Sequence, residues 1–156
     1  VGGCDSTIFQ QMILPQPVQE KFSSFFQTTR ALSVAELEEL YTCTFDINPT
    51  ASLEIGWHLY GETYERGSFL VMLRNLLRTY HIEESPELPD HLTHMLLLLR
   101  KMEKAEGEVF AKKFLLPGLA KILEGFQEKE NPYENLLLGL KHVIELQHLQ
   151  GVEHHG

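Results

Sequence analysis

Apolar residues recur along most of the chain at intervals of three and four positions, the spacing that places them on one face of an α-helix. The longest clear stripe before the middle of the chain consists of Phe69, Leu73, Leu76, Leu77 and Tyr80. No segment shows the strict alternation of apolar and polar positions, bounded by turn residues, that is typical of a β-hairpin. The pattern therefore predicts an all-α protein, a single-domain helical bundle of about seven helices over residues 1–156.

Capping signals mark where several helices begin. Ser33 followed by Glu36 forms a capping box, in which each residue satisfies a free backbone N–H of the first turn. Asn131 followed by Pro132 marks the start of the last helix, since asparagine is a favoured N-cap and proline suits the first helical position. Gly61 is expected to end the third helix or to permit a tight bend there.

Prolines predict further boundaries. Asn48, followed by proline, is predicted to cap the third helix, and a helix is predicted to begin near Asp90 after the Ile82–Pro89 connecting loop. The Asp90 carboxylate would there complement the positive end of the helix dipole. Pro117 is predicted to kink or split the helix that contains it, because proline has no N–H to donate.

Length and composition limit the possible classes. The 156 residues, of which 43% are hydrophobic, suit one globular domain. The longest aliphatic run, Met95–Leu99, is far shorter than the roughly 20 residues that cross a membrane, and the first residues lack a secretory-signal pattern. Cys4 and Cys43 stand alone, outside any zinc-knuckle or disulfide pattern. We expect a cytoplasmic protein without a bound metal or cofactor.

Negative charge is concentrated in the middle of the chain. The formal net charge is −9, and residues 31–90 hold eleven acidic residues but only three arginines, while both flanks are nearly neutral. This deficit of basic residues argues against nucleic acid as a partner. A region of one sign raises the local concentration of an oppositely charged partner, although the same residues could simply form solvated helix faces.

Histidines and carboxylates permit a metal site. Glu54, His58 and Glu62 follow one another at helical spacing, as do Asp90 and His94. A metal-dependent helical hydrolase built on these two sets is the alternative function. The sequence contains neither a His-Glu-x-x-His motif, nor a nucleophile elbow, nor a phosphate-binding glycine loop, so enzymatic activity has no positive support.

Two short segments are poorly explained by stability alone. In the segment 61–67, two glycines bracket acidic residues and one arginine, and Gly67 inside a helix would cost about 1 kcal/mol relative to alanine. In the segment 87–92, a rigid Leu-Pro entry places a histidine directly after an aspartate. Trp57 and Tyr60 beside Glu62 could form an acidic aromatic groove for a peptide, or could be ordinary core residues.

These segments carry a family resemblance. Together with Phe45–Asp46 before them, Tyr80 between them and Asn131–Tyr133 after them, they resemble the NarJ-type assembly chaperones, within the TorD/DmsD class of redox-enzyme maturation proteins. The resemblance covers roughly residues 31–145. In the family the first segment usually has the sequence Gly-Glu-Ser-x-Asp-Arg-Gly. This chain has Thr63 in place of the serine and Glu65 in place of the aspartate. This sequence also lacks the long acidic C-terminal tail of the nitrate reductase members, so the resemblance does not identify which reductase the protein serves.

The resemblance implies an all-helical, non-catalytic chaperone. Its partner would be the N-terminal leader, or a remnant of it, of the catalytic subunit of a molybdenum reductase, held while the molybdopterin cofactor is inserted. The proline-bearing loop near 82–89 is a candidate hinge, so we expect a monomer or a domain-swapped dimer. A subunit that stays in the final complex is a further possibility. The site candidates are Trp57 and Tyr60 as groove walls and Glu62, Glu65, Arg66, Gly67, Glu87, Leu88, Pro89, Asp90 and His91.

Overall fold

Helices make up nearly all of the regular structure in this computed structural model, which describes residues 14–126 and 130–149. Cys4, which is predicted to belong to no zinc or disulfide pattern, lies outside these residues. Within them, seven helices and one isolated β-bridge form, which confirms the predicted all-α class. The helices are α1 (Gln16–Arg30), α2 (Val34–Tyr41, extended by a π-helical turn Thr42–Asp46), α3 (Ile55–Tyr60), α4 (Tyr64–Thr79), α5 (Leu92–Lys101), α6 (Lys104–Phe110, a π-helical turn Ala111–Leu115, then Leu116–Glu124) and α7 (Pro132–His148).

The core lies where α4, α5 and α6 bring their apolar faces together. Phe69, Leu73 and Leu77 of the predicted stripe are buried there, and each contributes about 1.5–3 kcal/mol through burial. Helix α1 packs along α7, where the absent side chain of Gly139 lets the Phe22 ring approach. No helix among the described residues is long and apolar enough to cross a membrane.

The predicted caps at Ser33 and Asn131 are confirmed. Ser33 Oγ accepts from the Glu36 N–H at 3.2 Å, and Glu36 Oε2 accepts from the Ser33 N–H at 2.7 Å. Asn131 Oδ1 accepts from the Tyr133 N–H at 3.0 Å, while its Nδ2 donates to the buried Thr44 Oγ1 at 2.8 Å. The Asn131 side chain therefore caps α7 and also ties α7 to the π-helical turn of α2.

A short antiparallel bridge joins two loops that are distant in sequence. The Ile55 N–H donates to the Asp90 carbonyl at 2.9 Å, and the Leu92 N–H donates to the Leu53 carbonyl at 2.9 Å. The residues that form the bridge are extended. One helix follows each of the two bridged segments, and each helix begins only where its segment of the bridge ends. Helix α3 therefore begins at Ile55, and α5 begins at Leu92.

The bridge shifts two predicted helix starts. The start at Asn48 is wrong, since its side chain accepts from the Thr50 N–H at 3.2 Å and forms a turn instead. The start predicted near Asp90 is too early, since α5 begins two residues later, at Leu92. His91 is the N-cap of α5, and its Nδ1 accepts from the Thr93 N–H at 3.3 Å.

Gly61 and Pro117 act where the sequence predicts. Gly61 ends α3 at a φ of 64°, a backbone conformation that glycine adopts at little cost. Pro117 lies in α6, two residues after the end of the π-helical turn Ala111–Leu115. A proline ring presses against the carbonyl four residues earlier, and the wider turn relieves that contact. The proline thus interrupts the regular α-helical pattern while the helix continues.

Replacing Asn131 by alanine should lower the free energy of unfolding by about 1–2 kcal/mol, since α7 loses its cap and the buried Thr44 hydroxyl loses its donor. Asn131→Asp should keep the cap and recover part of the loss. Asn135→Ala is the matched control, because that amide donates only to the exposed Ser24 Oγ at 3.3 Å. Urea denaturation measures all three variants, and an equal effect of Asn135→Ala would contradict the capping role.

Candidate functional site

A furrow of about 360 Å³ opens beside the bridge. Its walls come from the end of α2, from the residues before and within α3, from the start of α4 and from the loop before α5. We call this cavity the acidic furrow, because it brings together carboxylates, aromatic rings and one arginine. The residues that line it are Tyr41, Phe45, Asp46, Pro49, Ser52, Leu53, Glu54, Trp57, Arg66, Glu87, Leu88 and His91.

Three carboxylates reach the acidic furrow from three different elements. Asp46 ends the π-helical turn of α2, Glu54 lies in the bridge, and Glu87 lies in the loop before α5. Burial raises the pKa of the Tyr41 phenol, and the negative charges of Asp46, Glu87 and Glu54 raise it further. These acids therefore act on one common space, and that space favours a cation.

A buried ion pair lies beneath the acidic furrow. Asp90 is completely buried, and its Oδ2 accepts from Arg66 Nε at 3.1 Å. The guanidinium carbon of Arg66 lies 5.8 Å from the centre of the Trp57 ring, within range of a cation–π contact. Gly56 leaves room for the pair, since a Cβ there would lie 2.5 Å from Asp90 Oδ2. The pair thus connects α3, α4 and the loop before α5.

Histidines fix the loop that carries Glu87. His94 is buried, its Nδ1 lies 2.8 Å from the Leu88 carbonyl, and its Nε2 accepts from the Ser85 N–H at 3.0 Å. A carbonyl can only accept and a backbone N–H can only donate, so this ring carries its proton on Nδ1. His91 has the opposite arrangement, because its Nδ1 is the acceptor of the α5 cap. A neutral His91 ring therefore carries its proton on Nε2.

The predicted site residues fall into three groups. The bridge and the loops bring together those that line the acidic furrow, namely Trp57, Arg66, Glu87, Leu88 and His91. Those that lie buried beneath it are Pro89 and Asp90. Those that lie outside its lining are Tyr60, Glu62, Glu65 and Gly67. Tyr60 packs against Phe69 at 5.3 Å between ring centres and, with Glu65, lines a separate open depression of about 420 Å³ beside α4.

Sequence reasoning missed one wall of the acidic furrow. Tyr41 and Phe45 fit the apolar stripe of α2, a pattern that by itself predicts core positions, and Asp46 is marked only by the family resemblance. Their rings do pack against Tyr133, at 6.1 and 4.9 Å between ring centres, yet they also line the cavity. The segment Phe45–Asp46 in the resemblance was the one signal that pointed to this wall.

A second cavity, the apolar groove, adjoins the acidic furrow. It measures about 390 Å³ and lies between α1, α2, α5 and α7. Tyr41, Phe45 and Leu53 line both cavities, so that an acidic and an apolar space meet across these three side chains. The other residues that line the apolar groove are Leu14, Phe22, Leu92, Thr93, Leu96, Tyr133, Leu136, Leu137, Leu140 and Val143.

The geometry does not support the metal-dependent hydrolase. His58 Nε2 donates to the Ser52 carbonyl at 2.6 Å, so this nitrogen is not available as a ligand. Asp90 is paired with Arg66, and both ring nitrogens of His94 are bonded to the backbone. In the two described stretches of the chain, no three side chains of histidine, cysteine, aspartate or glutamate are arranged to hold a metal ion.

The fold and the two cavities define a class, an all-helical protein whose loops are fixed around a furrow suited to a cationic ligand. The chain belongs to the nitrate reductase delta subunit family, whose sequence model matches residues 13–137. The resemblance stated from the motifs is thereby confirmed.

Two curated relatives are each named nitrate reductase molybdenum cofactor assembly chaperone NarJ, one from Escherichia coli strain K12 and one from Escherichia coli O157:H7. This chain is 27% identical to each over 121 residues, which are 77% of this chain and 51% of the relative. The chain thus spans about half the length of the curated relatives it matches. The name of both relatives describes an assembly chaperone.

Gly56→Ala should destabilise the fold by about 1–3 kcal/mol, because the new Cβ would meet the buried Asp90 carboxylate and the Phe69 ring. Gly67→Ala is the matched control. Nothing lies within 4 Å of a Cβ at Gly67 in the first turn of α4, so alanine there should stabilise by about 0.5–1 kcal/mol. Thermal and urea unfolding measure both variants, and equal signs for the two would contradict this account of the ion pair.

His58 should make the stability depend on pH. Burial lowers the pKa of His58 below its ordinary value, although the Ser52 carbonyl and Glu54 act in the opposite direction. The unfolded chain therefore takes up this proton at a higher pH than the folded chain, and the free energy of unfolding falls as the pH falls through about 6.5. His58→Gln keeps a donor for the Ser52 carbonyl and should reduce this fall. Urea denaturation of wild type and His58→Gln at about pH 7.5 and about pH 5.5 measures this dependence. If the free energy of unfolding changes equally between the two pH values in both proteins, the prediction is refuted.

Proposed function

We propose that this chain is an assembly chaperone for a molybdenum-containing oxidoreductase of the nitrate or dimethyl-sulfoxide reductase type. It binds the N-terminal leader of the catalytic subunit, or a remnant of that leader, through the acidic furrow and the apolar groove. The observation that carries this proposal is the contact between the two cavities across Tyr41, Phe45 and Leu53. The names of the two curated relatives support the class of client.

The two cavities match the chemistry of a leader segment that has basic residues followed by apolar ones. A cationic side chain in the acidic furrow would meet Asp46, Glu54 and Glu87, with Trp57 and Tyr41 offering ring faces for a cation–π contact. The apolar stretch would lie in the apolar groove. Both volumes fall within the range of about 300–1,000 Å³ that is usual for ligand clefts.

The candidate residues take different parts in this proposal. Those that touch the segment directly are Trp57, Glu87, Leu88 and His91, which line the acidic furrow. Pro89 and Asp90 hold the walls from beneath, since both are buried. Those near the start of α4 would meet parts of the client beyond the furrow, and they are Tyr60, Glu62, Glu65 and Gly67.

Holding the client requires no chemistry from the chaperone. The chain would keep the leader covered in the cytoplasm while the molybdopterin cofactor enters the catalytic subunit, and it would release the leader afterwards. The predicted hinge near residues 82–89 would have to break the two bonds of His94 before α4 and α5 could separate into a swapped dimer.

The double variant Asp46→Asn with Glu87→Gln should bind a basic leader peptide about tenfold more weakly at low salt, a change of about 1.4 kcal/mol, with a smaller effect at high salt. Both residues are exposed, so the fold should be kept. The probe is a synthetic peptide with a pair of arginines followed by an apolar stretch. Isothermal calorimetry measures its dissociation constant.

The double variant Glu38→Gln with Glu39→Gln provides the control. It makes the same change in net charge on the exposed side of α2, away from the lining of the acidic furrow. Its dissociation constant should change less than about twofold. If both double variants weaken peptide binding equally, binding depends only on the net charge of the protein, and the role proposed for the acidic furrow is wrong. A wild-type protein that does not bind this peptide would refute the proposed function itself.

A further inference from the structure

Arg66 is the only lysine or arginine among the described residues that line the acidic furrow. A fixed positive charge in a cavity that receives a cation should weaken binding through repulsion. The ion pair with Asp90 explains the charge of Arg66 but uses only its Nε, which leaves the terminal donors for a ligand group that an arginine attracts.

The edge of the Arg66 guanidinium is available to a ligand. Its Nε donates to Asp90 Oδ2 at 3.1 Å, and one face of the group lies over Trp57. Within residues 14–126 and 130–149, its two terminal NH₂ groups have no hydrogen-bond acceptor, and none of the furrow carboxylates forms an ion pair with it. The side chain is 17% exposed, so these donors are positioned but not fully solvated.

The surrounding charge selects the kind of acceptor. The Arg66 charge is offset by the buried Asp90 carboxylate, which leaves Asp46, Glu54 and Glu87 as the uncompensated charges of the acidic furrow. An anionic ligand group would be repelled by these three carboxylates. A neutral carbonyl would not be repelled, and the main chain of any peptide supplies one at every residue.

We infer that Arg66 donates its terminal N–H groups to main-chain carbonyl oxygens of the bound leader segment. This inference rests on the proposed function and adds a division of roles within it. The carboxylates recognise the basic side chains, whereas Arg66 holds the backbone whatever side chains it carries. The contacts with Asp90 and Trp57 fix the guanidinium beforehand, so that little side-chain entropy is lost on binding.

The test is a double variant, Arg66→Gln with Asp90→Asn, which removes both charges of the buried pair and leaves no carboxylate unpaired. Two peptides serve as probes, the arginine peptide described above and the same peptide with both arginines replaced by glutamine. The inference expects about tenfold weaker binding of both peptides, with the salt dependence unchanged. Simple repulsion expects the arginine peptide to bind more tightly to the variant.

Arg66→Lys is the second variant, because it keeps the positive charge and loses the planar donor fork. It should also weaken binding of both peptides, and circular dichroism with thermal unfolding verifies that each variant is folded. A scan of amide-to-ester replacements in the arginine peptide weakens one carbonyl acceptor at a time. At one position the ester should cost affinity for the wild type but not for the double variant.

The outcomes separate the two claims. Unchanged or tighter binding in a folded Arg66 variant would overturn the backbone role of Arg66 and leave the proposed function standing. Loss of wild-type binding to both peptides would overturn the proposed function. An ester scan without any position that distinguishes wild type from double variant would likewise overturn the inference.

Discussion

The buried carboxylate of Asp90 is the constraint on which the site depends. A charge without solvent must be paired, and losing the partner of a buried ion costs about 3–5 kcal/mol. Arg66 supplies the pair, and the Oδ1 of Asp90 has no hydrogen-bond partner among the described residues, so this one contact carries the compensation. Gly56 provides the space, and Ile55 donates to the Asp90 carbonyl. The starts of α3, α4 and α5 are thereby held in fixed relation.

The two motifs that carry the family resemblance meet at this ion pair. Residues 61–67 contribute Arg66, and residues 87–92 contribute Asp90, so the pair accounts physically for one residue in each motif. Their part is to build the acidic furrow, while neighbouring residues such as Glu87 and His91 line it. The motifs that mark the nitrate reductase delta subunit family thus have a structural role in this fold, in addition to the binding role proposed for their neighbours.

The furrow and the groove are supported by rigid surroundings. His94 fastens the loop before α5 through two backbone hydrogen bonds, and His58 fastens the residues before α3 through another. Asn131 ties α7 to the π-helical turn that presents Asp46. A cavity whose walls are fixed in this way loses little entropy when a flexible segment enters it. Fixed walls of this kind are consistent with the proposed binding of a leader segment.

Local signals in the sequence are sufficient to predict several of the helices. The stripe of α4, the caps at Ser33 and Asn131 and the end of α3 at Gly61 follow from contacts within a few residues, which a single chain segment contains. The starts of α3 and α5, and the set of acidic residues that share the acidic furrow, depend instead on contacts between distant segments. The bridge between residues 53–55 and 90–92 keeps these residues extended where local capping signals would start a helix. A local sequence pattern contains no information about a partner so distant in sequence.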